Sequence, residues 1–208
     1  AVGQQVVVGL DNGTLVLFDP ESGITVGAPY QAVPARPGLR VEWNQPVYSP
    51  ESKILFASSS AGQMVRLSAG DTLRALSEVP LDHPIVGPLA VFGQHIAAVQ
   101  STNNGEALAL FDPQSLQVSE THPLDGRLLS GPFGTSSTIS TEASPTLGFV
   151  QTQRGLRAYD TSGKLAWQTV LPDSPLVGAP TVSEDGRCFA VSRQGQVWVL
   201  DLKDGQIL

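Results

Sequence analysis

One cysteine in 208 residues, Cys188, excludes an internal disulfide. It lies in RCFAV among apolar strand residues with no paired base, so it reads as a small hydrophobe rather than a nucleophile, and it reports no redox compartment. Basic residues are scarce: 12 Lys and Arg stand against 19 Asp and Glu, a formal net charge of −7. They are scattered, with no cluster able to neutralise a run of phosphates, which speaks against a nucleic-acid partner. No apolar run approaches the roughly 18 residues of a membrane span. The opening AVGQQVVVGL has neither a basic n-region nor a cleavage signature, so it is no intact signal peptide; a mature secreted chain would look the same. Charged residues make up only 15%, too few for long surface helices, while a hydrophobic fraction of 41% excludes disorder.

What the chain has in abundance is turn chemistry: 21 glycines and 16 prolines. That suits many short strands joined by tight turns, within one large all-β domain. The stretch LDNGTLVLFDPESG, residues 10–23, poses the first choice. A calcium loop of the EF-hand kind needs oxygens at alternate positions, Gly at the sixth and Glu at the twelfth. Here Asp11 and Asn12 are adjacent and LVLF follows at once, so the stretch reads as a hairpin, a strand and a turn. Asn12-Gly13 predicts a type I′ hairpin, with positive φ at both residues.

The phrase returns. Gly13, Gly62, Gly105, Gly155 and Gly195 are separated by 49, 43, 50 and 40 residues. Each is followed by an alternating strand (TLVLFD, QMVRLS, EALALFD, LRAYD, QVWVLD) that ends at Asp19, Ser68, Asp112, Asp160 or Asp201. An Asp there can accept backbone N–H bonds in the next turn, which a glycine completes at Gly23, Gly163 and Gly205. A strand precedes each turn glycine: VVVGL, ILFASS, HIAAVQ, LGFVQT, CFAVSR. Another follows each Asp turn: ITVGA, LRALSEV, LQVSET, KLAWQTV and a clipped QIL. A fourth element begins near Pro46, Pro88, Pro132 or Pro180, where proline loses no ladder bond.

Four antiparallel strands in 40 to 50 residues, repeated, predict the blades of a β-propeller. One small sheet cannot cover both its faces; blades stacked face to face bury them. The expected blades are 1–30, 44–81, 86–122, 130–171 and 177–208. Residues 1–5 are too few for a first A strand, and the last D strand is cut short. A segment of a larger propeller is expected, with a five-bladed ring lacking one inner strand as the alternative. Open strand edges would suit a partner or an edge-mediated oligomer.

The order strand, Gly, strand, Asp, Gly, strand, Trp is clearest in GLRAYDTSGKLAWQTV (155–170) and RQGQVWVLDLKDGQIL (193–208). It resembles the pyrroloquinoline-quinone-like repeat. The likeness runs along nearly the whole chain but weakens in the middle blades, where SAGD replaces the Asp turn and FDPQSLQV lacks its Gly. The family holds quinone-dependent dehydrogenases with quinone and calcium at the axis, and also the periplasmic scaffold of outer-membrane protein assembly. The dehydrogenases have eight blades and paired cysteines over the cofactor. One cysteine, fewer blades and no recognisable calcium ligands place this chain in the non-enzymatic branch, with no catalytic residue, metal or cofactor expected. A bacterial periplasmic or extracytoplasmic location is what the resemblance implies. The residues that carry over are structural: Gly13, Asp19, Gly62, Gly105, Asp112, Gly155, Asp160, Trp167, Gly195 and Asp201.

The catalytic inventory adds nothing to this. His83 and His122 are placed in D–A connections before prolines, and His95 at the start of a B strand. No nucleophile elbow, HExxH, P-loop or zinc-type cysteine pair occurs. Glu42, Asp125, Glu142 and Asp173 read as solvated loop acids. Two insertions stand out. The first D–A connection, 29–46, carries Tyr30, Arg36, Arg40 and Trp43, residue types that dominate interaction hot spots; Trp43 can equally pack over a blade as Trp167 does. The fourth A–B loop, 133–145, is long, small and polar, and functional residues concentrate on such loops. The expected function is a protein- or peptide-binding scaffold. A quinone-dependent dehydrogenase fragment and a glycan-binding propeller are the alternatives.

Overall fold

The structure, a computed structural model, describes residues 5–32, 40–50, 52–134, 147–172 and 174–208. Among them there is no helix, and five antiparallel sheets account for the regular structure. The first is β1 (Val6–Gly9), β2 (Thr14–Phe18) and β3 (Thr25–Gln31). The second is β4 (Val47–Ser49), β5 (Ile54–Ser59), β6 (Gln63–Ala69) and β7 (Leu73–Pro80). The third is β8 (Ile85–Phe92), β9 (His95–Thr102), β10 (Gly105–Phe111) and β11 (Val118–Pro123). The fourth is β12 (Leu128–Gly134), β13 (Gly148–Thr152), β14 (Gly155–Tyr159) and β15 (Leu165–Thr169). The fifth is β16 (Thr181–Val182), β17 (Arg187–Val191) and β18 (Val197–Asp201). Strands are neighbours in chain order throughout. These are the up-and-down blades that the repeat predicts. Among the described residues the first sheet has no A strand. The clipped QIL contributes one bridge, Ile207 to Leu200, beside β18.

The chain divides into two compact units, Ala1–Ile85 with Pro113–Gln117, and Val86–Asp112 with Val118–Leu208. Inside the first unit, alternate residues of facing sheets meet: Leu15, Leu17 and Tyr30 from one, Leu55, Val65 and Leu67 from the other. Inside the second, Phe92, Val99, Leu108 and Leu110 pack on Val150 and Tyr159 of the next sheet. The other face of that sheet, with Phe149, Leu156 and Trp167, packs on Cys188, Ala190 and Leu200. A central blade is therefore apolar on both faces. Each buried Leu or Phe removes enough apolar surface to contribute about 1.5–3 kcal/mol.

The turns differ from expectation in kind. Gly13 has φ 81°, but Asn12 is not in the left-handed region. Gly13 N–H donates to Leu10 O, and Leu10 N–H to Thr14 O. This is a three-residue turn finished by a left-handed glycine, not a type I′ pair. Asn12 instead uses its side chain, whose Oδ1 accepts from Thr14 N–H. Where FDPQSLQV lacks its glycine, Leu116 itself adopts φ 58° and is buried.

Candidate functional site

Asp19, Asp160 and Asp201 each accept backbone N–H groups in the turn that follows their strand. Asp19 Oδ1 accepts from the N–H groups of Glu21 (2.8 Å) and Ser22 (3.2 Å). Those bonds hold its carboxyl below the usual aspartate range. Asp160 Oδ1 accepts from Ser162 N–H, Ser162 Oγ–H and Lys164 N–H, and Asp201 Oδ1 from Lys203 N–H. Burial works against ionisation of Asp160, yet the Ser162 and Lys164 bonds outweigh it and its pKa is lowered. The turns at Gly62 and Gly195 are closed like that at Gly13, through N–H donation to Ser59 and Ser192. Gly105 and Gly155 open their C strands opposite Thr102 and Thr152. Asp112 follows β10.

Blade docking explains two of the other positions. Trp167 is buried and donates from Nε1 to Leu202 O at 2.8 Å, across to the next blade. Its ring lies on Gly205, where a Cβ would stand 2.5 Å from the ring Cε3. His122 takes the same place one blade earlier. It lies in β11 opposite Leu108, as Trp167 lies opposite Ala158, and a Cβ on Gly163 would stand 2.9 Å from its Nε2. Its placement in a connection is thus corrected: it is a strand residue, paired with Glu120 at 3.2 Å. His95 opens β9 as expected, and His83 lies between β7 and β8.

The first D–A connection is laced down over residues 41–44. Val41 N–H donates to Asp11 O, and Asn44 N–H to Ser58 O. Val41 bridges Asn12 and Trp43 bridges Ser59. Trp43 lies flat on Gly9, where a Cβ would come within 2.9 Å of its Cβ and Cδ1. Its ring is 6.2 Å from that of Tyr30, tilted by 57°, and its Nε1 has no hydrogen-bond partner among the described residues. Tyr30 itself is buried in the core of the first unit, with its hydroxyl donating to Glu78 Oε1 at 2.7 Å. Burial, then the bond to and charge of Glu78, push its pKa well above the usual tyrosine range. Arg40 is exposed. Arg36, Glu142, Asp173 and most of the 133–145 loop lie outside the described residues. Of the four residues singled out as candidate partner contacts, Tyr30 and Trp43 pair through their rings, with Tyr30 the buried member.

Asp125 corrects the reading of a solvated acid. Its Oδ2 lies 2.7 Å from Arg157 Nη2. Arg157, on β14, is 8% exposed, so its charge is neutralised from within. Gln168 joins the pair, accepting from Arg157 Nη2 (3.1 Å) and donating to Asp125 Oδ2 (3.3 Å). Sequence reasoning missed this network because 32 positions separate the partners. Cys188 is buried, which pushes its thiol up to about 12; it packs as a small apolar residue. Among the described residues no three His, Cys, Asp or Glu side chains gather as a metal site would require, and no helix is long and apolar enough to cross a membrane.

Comparisons with known proteins agree on the fold. A family model described as "Outer membrane protein assembly factor BamB" matches residues 94–208. Among solved structures, BamB from Moraxella catarrhalis superposes with a TM-score of 0.68 at 16% identity, covering 100% of this chain and 58% of that one. The dihydro-heme d1 dehydrogenase NirN, solved with DHE, gives 0.66 at 17% identity, covering 100% of this chain and 43% of that one. The chain thus spans about three fifths or less of these structures' own length. No curated protein sequence matches it.

Proposed function

Because the chain belongs to the family of the outer membrane protein assembly factor BamB, we propose that it is a non-catalytic scaffold that recruits a protein partner through its loop faces. The observation that carries this reading is the way the first D–A connection is held. Residues 41–44 are tied by backbone bonds to both neighbouring blades, so Trp43 sits on an anchored segment, and the exposed Arg40 adjoins it. Preorganised anchors lower the cost of ordering an interface, and Trp and Arg are the residue types that anchor interfaces. Tyr30 supports the patch from beneath. The partner proposed is a component of outer membrane protein assembly.

Affinity capture from bacterial membrane extracts tests the reading. Wild-type chain should retain such a component, and R40A/W43A should retain about tenfold less, as expected for loss of two hot-spot residues. Equal retention by the variant would remove the patch; no capture by the wild type would remove the scaffold reading.

The likeness to NirN favours one second reading, a fragment of a dehydrogenase. It predicts an absorbance change when the chain is titrated with quinone and calcium, or with a haem-type ligand. No change is expected.

A further inference from the structure

The dipeptide Asn-Gly occurs twice, as Asn12-Gly13 and Asn104-Gly105, each time in a B–C hairpin. Glycine puts no Cβ beside its amide nitrogen, so that nitrogen can approach the preceding side chain closely. Once deprotonated, it attacks Cγ of the asparagine. A bond forms between the glycine nitrogen and Cγ, the Cγ–Nδ2 bond breaks, and the side-chain nitrogen leaves as ammonia with a proton from solvent. Water then opens either carbonyl of the resulting succinimide, leaving aspartate or isoaspartate. The dipeptide alone ranks the two sites equally, but the fold does not.

Asn12 is restrained from several sides. Its Oδ1 accepts from Thr14 N–H (3.1 Å) and its main-chain O from Gln31 Nε2 (3.0 Å). The attacking group, Gly13 N–H, is itself engaged, donating to Leu10 O at 3.1 Å. Gly13 is buried, and a Cβ on it would stand 3.2 Å from Val41 Cβ. Val41 in turn bridges Asn12 and donates its N–H to Asp11 O. Ring closure at this site must break the side-chain bond and the turn bond, and move the peptide against Val41.

Asn104 is far less restrained. It and Gly105 are both exposed, and beyond the chain neighbours no atom lies within 4 Å of where a Gly105 Cβ would stand. The Asn104 side chain makes no hydrogen bond among the described residues; only its N–H is engaged, donating to Thr102 Oγ1 at 3.2 Å. Gly105 forms the last pair of the β9–β10 ladder, opposite Thr102, and the end of a ladder opens more readily than its middle. The remaining tie, from Thr102 Oγ1 to Gly105 O at 2.7 Å, engages neither the attacking nitrogen nor the side chain.

We propose that Asn104 is a modification site of the folded chain, converting spontaneously to aspartate and isoaspartate, while Asn12, with the same following residue, is protected. The product places a negative charge two residues before Glu106, and isoaspartate lengthens the main chain there by one methylene. Glu106 O accepts Leu124 N–H at 2.9 Å, and its Oε2 accepts Leu128 N–H. That residue ties the third sheet's hairpin to the connection leading into the fourth. Isoaspartate at position 104 therefore loosens this connection.

The test is incubation of the intact chain at mildly alkaline pH, followed by peptide mapping in a mass spectrometer and labelling with an isoaspartate methyltransferase. Two hydrogen bonds of ordinary net strength slow a step that must break both by about tenfold or more. Position 104 should therefore convert at least about tenfold faster than position 12. In denaturant the two sites should convert at similar rates, because their dipeptides are identical. Asn104→Gln should abolish conversion at 104 and leave the rate at 12 unchanged, whereas Gln31→Ala should raise the rate at 12. After conversion, the amides of Leu124 and Leu128 should exchange faster with solvent than in fresh protein, and in Asn104→Gln treated alike they should not. Conversion at 12 as fast as at 104 in the folded chain would overturn the proposal. So would a folded chain that stays unmodified at 104 while the denatured chain converts there. Unchanged exchange at both amides in converted protein would overturn the loosening.

Discussion

At Gly205 the backbone turns with φ 74° and the Trp167 ring lies where a side chain would begin. Alanine there meets a left-handed backbone, costing about 1–2 kcal/mol, and displaces a packed ring, costing about as much again. Gly205→Ala should therefore lower stability by about 2–4 kcal/mol, read from the denaturation midpoint. Leu116 poses the reverse balance. Replacing it with glycine relieves about 1–2 kcal/mol of left-handed strain, but removes a side chain that is 1% exposed, worth about 2–5 kcal/mol. Burial wins, and Leu116→Gly should destabilise by about 1–3 kcal/mol. That the glycine was missing from FDPQSLQV was legible; that leucine would keep the turn was not, because the compensation comes from burial rather than from the local turn. For Asp160 the folded carboxyl is more acidic than in the unfolded chain. Its contribution is complete above the ordinary aspartate value of about 3.9 and is lost as pH falls through the lower folded value. The melting-temperature gap between wild type and Asp160→Asn should hold near neutrality and shrink on acidification; a constant gap would contradict the assignment.

Among the elements, strands were the most legible because alternation and spacing are local. ILFASS, QMVRLS and EALALFD became β5, β6 and β10 with their apolar residues inward. What crosses between elements was not legible. Nothing in THPLDGRL announces that Asp125 meets Arg157, and nothing in VVVGL announces that Gly9 makes room for Trp43. Removing Asp125 would leave Arg157 buried and uncompensated, which costs about 3–5 kcal/mol for a fully buried pair. The Asp125 side chain is 30% exposed, so solvent screening places Asp125→Ala at or below the bottom of that range. Replacing both partners with apolar residues should recover most of the loss. Gly9→Ala should displace the Trp43 ring, reported by a shift in its fluorescence.

At the scale of the whole molecule, the described residues form a repeat of small antiparallel sheets, with apolar clusters between neighbouring sheets inside each unit. In the three four-stranded sheets the B and C strands are hydrogen-bonded on both sides and mostly buried, while the outer D strands have one open edge. Amide protection follows such differences in burial and pairing. The most direct measurement is hydrogen exchange on the intact chain, resolved along the sequence by mass spectrometry. The account predicts slow exchange in β5–β6, β9–β10 and β13–β14, faster exchange in β7, β11 and β15, and so a protection pattern with the period of the repeat. Protection spread evenly over the D strands, or gathered in one continuous block with no period, would contradict it.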